Sequence, residues 1–239
     1  MAATVSEPAW WIEALGWLEL RKKQIGYAAV AVLVVALGIS YALYARSQRE
    51  VAAARALSEA VAPMLLGETQ SLASGPLLEV AQRYAGTRAG GHALLLAATA
   101  LSTEGDLVRA QARFEEFLRE YRQSPLLNQA VFGLASCLHA QGRTNEAMDR
   151  YQSLAERRLE TDPVVFLARL RLGQLCEQRG EWERARRYYE EVARALPMAG
   201  LGGEARLYLQ ALLEAHPELV PSQPGGESST NGLTPPTQP

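Results

Sequence analysis

The stretch LGQLCEQRGEWERARRYYEEVARALP, residues 172–197, decides the fold of this chain. On both sides of Gly180, apolar and small residues recur at the spacing of an amphipathic helix. A glycine ends a helix at little cost because it accepts a left-handed backbone conformation. The stretch therefore predicts two helices that fold back on each other around Gly180.

The same pattern occurs three times, because Gly105, Gly142 and Gly180 lie 37 and 38 residues apart. A small residue lies seven residues before each glycine. An alanine lies five residues after it, and an aromatic residue lies nine residues after it. These residues are Ala98, Ala110 and Phe114; Ala135, Ala147 and Tyr151; Gly173, Ala185 and Tyr189. Small residues let two helix backbones approach where they cross, and the aromatic ring fills the space beside them. The pattern predicts an all-α stack of two-helix units.

In the first unit, the spacing predicts helices over 91–102 and 107–121, and the other units repeat them. The predicted packing residues of the first unit are Leu94, Ala97, Ala98, Leu101, Ala110, Phe114 and Phe117. Those of the second are Val131, Leu134, Ala135, Leu138, Ala147, Tyr151 and Leu154. Those of the third are Leu172, Gly173, Cys176, Ala185, Tyr189 and Val192. Pro197 closes the third unit because proline cannot continue a helix.

These units resemble the tetratricopeptide repeat, whose unit of about 34 residues has the same order of features. The period is longer here, and the extra residues lie in the linkers YRQSP, 121–125, and LETDP, 159–163. Arg169 stands where the family commonly has a large apolar residue, so we expect it to face solvent or a capping helix. The resemblance implies an α-solenoid that binds proteins.

The regions around these units are predicted from weaker signals. Residues 45–90 form a linker helix and a degenerate first repeat, before the repeats at 91–197. The packing residues of that degenerate repeat are Leu57, Ala60, Val61, Met64, Ala73, Leu77 and Val80. Residues 198–220 provide an amphipathic capping helix over GEARLYLQALLEAH, because the last repeat of a solenoid must be covered. The Pro/Gly/Ser/Thr-rich residues 221–239 are predicted to be disordered.

Residues 25–44, IGYAAVAVLVVALGISYALY, carry no charge and predict a transmembrane helix. Twenty helical residues span about 30 Å, the thickness of the hydrocarbon core of a bilayer. A cleaved signal peptide is the alternative, but its apolar run is commonly about 7–15 residues. Residues 1–24 form an N-terminal tail whose short amphipathic segment contains Trp10, Trp11 and Trp17. That segment either lies in the headgroup region or is an ordinary extension.

Basic residues leave the orientation of this span open. Arg21, Lys22 and Lys23 precede it, and three basic residues follow it, namely Arg46, Arg49 and Arg55. The first group directly adjoins the apolar run, and large domains cross membranes largely regardless of their charge. We therefore favour a cytoplasmic N-terminus and a repeat domain on the extracytoplasmic side.

The sequence contains no recognisable catalytic, cofactor or metal motif, so we expect no enzyme. His92, His139 and His216 lie in separate units. Cys137 and Cys176 are predicted to be buried apolar residues, although a disulfide between neighbouring helices stays open. Residues 200–205 fit the dinucleotide pattern G-x-G-x-x-A, but that pattern requires a preceding strand, so we expect an interhelix turn. The net charge of −2 gives no reason to expect nucleic acid.

The first helices of the units line the concave side of such a solenoid, and this surface is the candidate partner-binding groove. Its predicted residues are Gln129, Phe132, Ser136, His139, Leu167, Leu170, Gln174 and Glu177. The mixture of polar and apolar side chains suits an extended peptide or a helix. A solvated face without a specific ligand is the alternative. The basic clamp by which some tetratricopeptide repeats hold a carboxylate is matched at Arg171 alone.

The basic tail, single span and alanine-rich repeats resemble the YfgM-like family of ancillary SecYEG translocon subunits. The most similar stretch is YAGTRAGGHALLLA, residues 84–97. This resemblance implies a bacterial inner-membrane protein with a periplasmic repeat domain that associates with translocated or folding proteins and with chaperones. The alternative is an adaptor for another membrane or envelope assembly complex, with the repeats in the cytoplasm.

Overall fold

The computed structural model describes residues 10–67, 70–157, 162–196 and 200–220. Throughout these ranges the chain is helical or in turns, and no strand occurs in them. Their α-helices are α1 (Trp10–Leu65), α2 (Ser74–Arg83), α3 (Arg88–Thr103), α4 (Leu107–Glu120), α5 (Leu127–Ala140), α6 (Thr144–Ala155), α7 (Pro163–Gln178), α8 (Trp182–Ala195) and α9 (Leu201–Ala215). A 3-10 helix covers Pro217–Leu219. The all-α prediction is confirmed, whereas Pro197 and the tail 221–239 lie outside the described residues.

The chain forms two compact units, residues Met1–Leu94 and Leu95–Pro239. In the first unit, α1 is one continuous helix of 56 residues. Within the described part of the chain, its stretch Val30–Leu65 is long and apolar enough to cross a membrane, judged by length and composition. Its most apolar window is not buried in the structure. The predicted span 25–44 lies inside α1. The structure does not describe the side chains of the tryptophan-containing segment before it.

Two adjacent residues of α1 hold the turn between α2 and α3. The Glu50 carboxylate accepts hydrogen bonds from the backbone N–H groups of Arg88, at 3.0 Å, and Ala89, at 3.1 Å. The Arg49 guanidinium donates to the carbonyl oxygens of Arg83 and Ala85, both at 3.4 Å. Arg49 therefore binds the last carbonyl of α2 and one carbonyl of the turn that follows it, while Glu50 binds the first two amides of α3. Both ends of a helix leave such groups without partners inside the helix.

The packing of α1 on α2 differs from the pattern expected for the degenerate repeat. Leu77 and Val80 of α2 are buried, at 0% and 8% exposure. On α1, however, Ala53 is fully buried and Met64 is exposed. The buried part of α1 therefore includes a residue nearer its apolar stretch than those predicted from the sequence.

In the second compact unit, Leu95–Pro239, successive antiparallel helices stack around the predicted packing residues. The three predicted sets on α4, α6 and α8 are almost completely buried: Ala110, Phe114, Phe117, Ala147, Tyr151, Leu154, Ala185, Tyr189 and Val192. Their partners on α5 and α7 include Leu134, Ala135, Leu138, Leu172 and Cys176, each at most 3% exposed. The helical repeat pattern therefore identifies this core correctly.

Each predicted glycine ends a helix in the left-handed region. The φ angles of Gly105, Gly142 and Gly180 are 86°, 79° and 74°. The residue after each glycine donates its backbone N–H to a carbonyl five positions earlier; for Asp106 this acceptor is Leu101, at 2.9 Å. This is the hydrogen bond of a Schellman motif. The same turn geometry therefore recurs in all three helix-pair repeats.

The expectation that Arg169 faces solvent or the capping helix is met only in part, because 22% of its side chain is exposed while its charged end is bonded within the stack. Its guanidinium donates to the Ala155 carbonyl at 3.0 Å and lies 3.6 Å from the Glu191 carboxylate. It also lies 5.6 Å from the centre of the Phe166 ring. The side chain thus joins the end of α6 to α7 and α8. A long side chain can bury its stem among apolar groups and still satisfy its charged end.

The stack ends at α9 and the 3-10 helix. Gly202 of α9 lies so close to α8 that an ideal Cβ would be 1.6 Å from the Leu196 carbonyl oxygen. Leu219 is 6% exposed, and its carbonyl accepts a hydrogen bond from Arg186 of α8 at 2.9 Å. The G-x-G-x-x-A match at 200–205 therefore covers the N-cap Gly200 and the start of the packed capping helix, so the expectation of an interhelix turn is wrong. The described element that precedes it is helix α8 and not the strand that a dinucleotide site requires.

Candidate functional site

A surface groove runs over α5, α7 and α9 of the second unit and contains two open pockets. The first has a volume of about 280 Å³ and lies among α5, α6 and α7. Its lining residues are Ser136, His139, Tyr151, Arg171, Gln174, Leu175 and Gln178. The second has a volume of about 660 Å³ and lies among α7, α8 and α9. Its lining residues are Gln174, Glu177, Gln178, Trp182, Tyr208, Ala215 and His216.

The two pockets adjoin each other, because Gln174 and Gln178 line both. These residues are one helical turn apart on α7, so their side-chain amides lie next to each other on the same face of that helix. A glutamine amide both donates and accepts hydrogen bonds, as the backbone of an extended peptide does. Side-chain amides at these two positions are therefore suited to hydrogen bonds with the main chain of a peptide.

The structure places four of the eight predicted groove residues in these pockets. Ser136 and His139 line the first pocket, Gln174 lines both, and Glu177 lines the second. The spacing of residues on α5 and α7 therefore brings these four side chains to the two pockets, and their role in binding stays a prediction.

The other four predicted residues do not line either pocket. Gln129 is exposed at the start of α5, and Leu167 is half-buried near the start of α7. Phe132 is half-buried, with its ring centre 5.3 Å from that of Tyr151. Leu170 is 2% exposed, so its side chain packs in the core and is not a groove residue. The reason is that α7 packs against α5, α6, α8 and α9, which buries more than one of its faces.

Hydrogen bonds to the tyrosines of α6 and α8 order the floor of the groove. The hydroxyl groups of Tyr151 and Ser136 are 2.9 Å apart. The Tyr189 hydroxyl donates to the Glu177 carboxylate at 2.7 Å. Burial, followed by the bond to Glu177, raises the pKa of Tyr189 far above its ordinary value. Tyr189 therefore stays neutral and keeps donating, which holds the Glu177 carboxylate in place.

Aromatic side chains from the cap form one wall of the second pocket. The Trp182 ring stacks on His216 with 4.2 Å between ring centres. The Tyr208 ring stacks on Tyr189 at 5.5 Å. Trp182, Tyr208 and His216 are not among the groove residues predicted from the sequence. The amphipathic pattern of α9 could have indicated Tyr208 and His216 as pocket residues. This helix covers the last repeat and also lines the second pocket.

The groove has few charges and no arrangement typical of catalysis. Arg171 donates to Gln174 at 2.7 Å, and Glu177 is the acidic residue of the second pocket. Both cysteines are free and buried, and burial raises the pKa of each thiol, which keeps them protonated and unreactive. In the described ranges no group of three His, Cys, Asp or Glu side chains is placed to hold a metal ion. The arrangement suits reversible binding.

Comparison with known proteins supports the repeat architecture. Residues 126–198, which include α5 to α8, match the tetratricopeptide repeat family. No curated protein matches the sequence of the chain. The matched segment covers two of the three predicted units, and the shared turn and packing residues extend the same repeat to the unit before it.

A solved structure with a similar fold supports the same architecture. The chain is similar to a tetratricopeptide repeat protein from Parabacteroides merdae, with a TM-score of 0.54 and 15% identity. The similarity covers 70% of this chain and 62% of that protein, so this chain matches less than two thirds of its length. It is also similar to BtubC (BKLC) from P. vanneervenii, with a TM-score of 0.47, 20% identity, and coverage of 72% and 67%.

Proposed function

We propose that the tetratricopeptide repeats of this chain bind segments of other proteins in the groove over α5, α7 and α9, and that α1 anchors them to a membrane. The observation that carries this proposal is the pair of adjoining pockets that share Gln174 and Gln178. Tetratricopeptide repeats are protein-interaction scaffolds, and the fold resembles theirs. Hydroxyl, amide and aromatic groups line the groove, which favours an extended peptide or one face of a helix.

The proposed membrane anchor rests on the composition and exposure of α1. Large apolar side chains such as Val32, Leu37 and Leu43 are at least 60% exposed on this helix. Exposed apolar surface of this length is costly in water and favourable in a bilayer. Tyr41 and Tyr44 lie at one end of the uncharged stretch, where interfacial aromatic residues are expected.

We further propose that the setting is the bacterial inner membrane, with the repeats on the periplasmic side. There the chain would assist translocated or folding proteins near the Sec translocon, as the likeness to the YfgM-like family suggests. The basic residues that adjoin the start of the apolar stretch, Arg21 to Lys23, favour this orientation. The alternative is an adaptor for another membrane or envelope complex with its repeats in the cytoplasm.

Site-specific photocrosslinking tests the groove. A photoreactive amino acid at His139, which is exposed and lines the first pocket, should crosslink translocon subunits, chaperones or envelope proteins in living cells. The matched control is Gln210, which is exposed on α9 and lines neither pocket. Equal crosslinking at the two positions, or none at either, would contradict a specific binding groove.

Protease added to intact spheroplasts tests the orientation. With periplasmic repeats, the protease should degrade the repeat domain without lysis of the cells. A repeat domain that is degraded after lysis and survives before it would place the repeats in the cytoplasm. That result would remove the translocon hypothesis and leave the cytoplasmic adaptor.

A further inference from the structure

The chemistry of the groove selects a particular kind of peptide. Along its length, the lining side chains are mainly amides, hydroxyl groups and aromatic rings, with Arg171 and Glu177 as one charge of each sign. Strongly acidic or basic peptides gain little from such a surface. Aromatic rings and hydrogen-bonding side chains suit proline-rich segments, because the polyproline II helix presents prolines to rings and leaves its backbone carbonyls available.

The same chain contains a segment with this chemistry. Residues 221–239 include five prolines and a single charged residue, Glu227. The pattern Pro-x-Gln-Pro occurs twice in it, at 221–224 and 236–239. Proline fixes φ near the polyproline II value, so this composition lowers the entropic cost of binding as an extended segment.

The segment starts beside the groove. His216 lines the second pocket, and the 3-10 helix Pro217–Leu219 follows it directly. The bond from Arg186 to the Leu219 carbonyl fixes this part of the chain against α8. Nineteen residues in polyproline II conformation extend about 59 Å, whereas neighbouring helices are about 10 Å apart. The segment can therefore reach from the cap to the pocket at Ser136.

We propose that residues 221–239 bind in the groove over α5, α7 and α9 as an intramolecular ligand that partner proteins must displace. This inference rests on the proposed function, because it assigns an occupant to the same groove. A tethered segment experiences an effective concentration in the millimolar range. A contact with a dissociation constant of about 0.1 mM would therefore keep the site about nine-tenths filled, and partners would have to compete for it.

A binding assay on the full chain in detergent micelles tests the inference. The probe is a fluorescent synthetic peptide with the sequence of residues 221–239, and its anisotropy is measured against three proteins. These are the wild-type chain, a chain that ends at Val220, and a full-length chain in which the five prolines of the segment are alanine. We expect the peptide to bind both altered chains at least tenfold more tightly than the wild type. The full-length variant keeps the test valid should truncation disturb the cap.

Matched variants identify the site of binding. In the chain ending at Val220, Gln178→Arg should reduce peptide affinity at least fivefold, because Gln178 is exposed and lines both pockets. Gln210→Arg, on an exposed part of α9 outside the pockets, should leave affinity unchanged. A control peptide with alanine at the five proline positions should bind at least fivefold more weakly than the native peptide.

The following results would overturn the inference: no peptide binding to either altered chain at millimolar concentration, equal affinity for all three chains, or equal binding of the two peptides. Crosslinking from His139 separates this failure from failure of the proposed function. Partner crosslinks without peptide binding would remove the intramolecular ligand and leave the groove as a partner site. Failure of both experiments would remove both proposals.

Discussion

The ring of Tyr189 occupies the space that a side chain on Gly173 would need. An ideal Cβ on this glycine would lie 2.4 Å from Cε1 of the tyrosine. At the other end of the same ring, the hydroxyl group binds the Glu177 carboxylate of the groove. One buried side chain therefore sets both the distance between α7 and α8 and the position of a pocket residue.

Replacing Gly173 with alanine should destabilise the protein. The new methyl group must push the Tyr189 ring or α7 away, and overpacking of a core costs about 1–3 kcal/mol. We expect a lower denaturant midpoint for the full chain in detergent, measured by circular dichroism. The control is Gly203→Ala on α9, where the nearest atom to an added Cβ is 3.9 Å away. Equal midpoints for Gly173→Ala and the wild type would contradict the proposed close packing.

Replacing Glu50 with alanine should loosen the start of α3. The carboxylate satisfies two backbone amides at a helix N-terminus, and loss of such a cap costs about 1 kcal/mol. Hydrogen exchange should become faster at the amides of Arg88 and Ala89. Glu59→Ala, at an exposed position of the same helix, is the control and should leave these amides protected. Unchanged protection in Glu50→Ala would show that the carboxylate does not cap α3.

Stability should fall at alkaline pH, in part because of Tyr189. Its pKa is raised in the folded state, so the neutral phenol is favoured there and the unfolded state loses its proton first. The contribution is fully present below the ordinary tyrosine pKa of about 10 and is lost as the pH rises above it. In Tyr189→Phe, stability at neutral pH should be lower, but its decline between about pH 10 and 11 should be shallower. Parallel declines, measured by urea unfolding, would contradict this origin.

Cys137 and Cys176 should react slowly with alkylating reagents in the folded protein. Both are 0% exposed, and burial raises the pKa of their thiols, so little thiolate forms at neutral pH. Mass spectrometry after treatment with iodoacetamide should show modification mainly in denaturant. A cysteine introduced at exposed Gln210 is the positive control. Fast labelling of the native thiols at the rate of that control would contradict their burial.

Alanine at Leu170 should lower the stability of the fold, whereas alanine at His139 should weaken partner binding. Leu170 is 2% exposed, and truncation of a buried leucine costs about 2–5 kcal/mol. His139 is exposed in the groove, so its loss should change stability by less than about 0.5 kcal/mol. Partner crosslinking, measured from a probe at Ser136, should weaken in His139→Ala. A large loss of stability in His139→Ala would contradict its position on the surface.

The core of the repeats can be predicted from the sequence because it depends on local periodicity. Helix spacing identifies Ala110, Phe114 and Phe117 as buried, and their counterparts in later units follow by alignment. The small residue at Gly173 is identified in the same way. Gly133 is not, although an added Cβ there would lie 2.4 Å from the Phe114 ring. That contact joins neighbouring units, and the alignment of each unit with the next contains no information about it.

The groove can be predicted less completely because its walls come from several helices. Helical spacing locates Ser136 and Gln174, but it treats α7 as having one buried face, which misplaces Leu170. Trp182 and His216 reach the second pocket by stacking on each other across the cap. Arg169 is predicted only in part for a related reason, because its partners are a backbone carbonyl on α6 and a carboxylate on α8. Such partners depend on tertiary arrangement rather than on residue type.

The unbroken course of α1 from its apolar stretch to Glu50 gives the proposed anchor a mechanical property. A helix in a thinner bilayer tilts further, and a 10° change would swing a point about 30 Å along its axis through about 5 Å. The α2–α3 turn, held by Arg49 and Glu50, would follow that lever. We expect spin labels at Val51 to report different tilts in thin and thick nanodiscs, and identical spectra would exclude such sensing of lipid thickness.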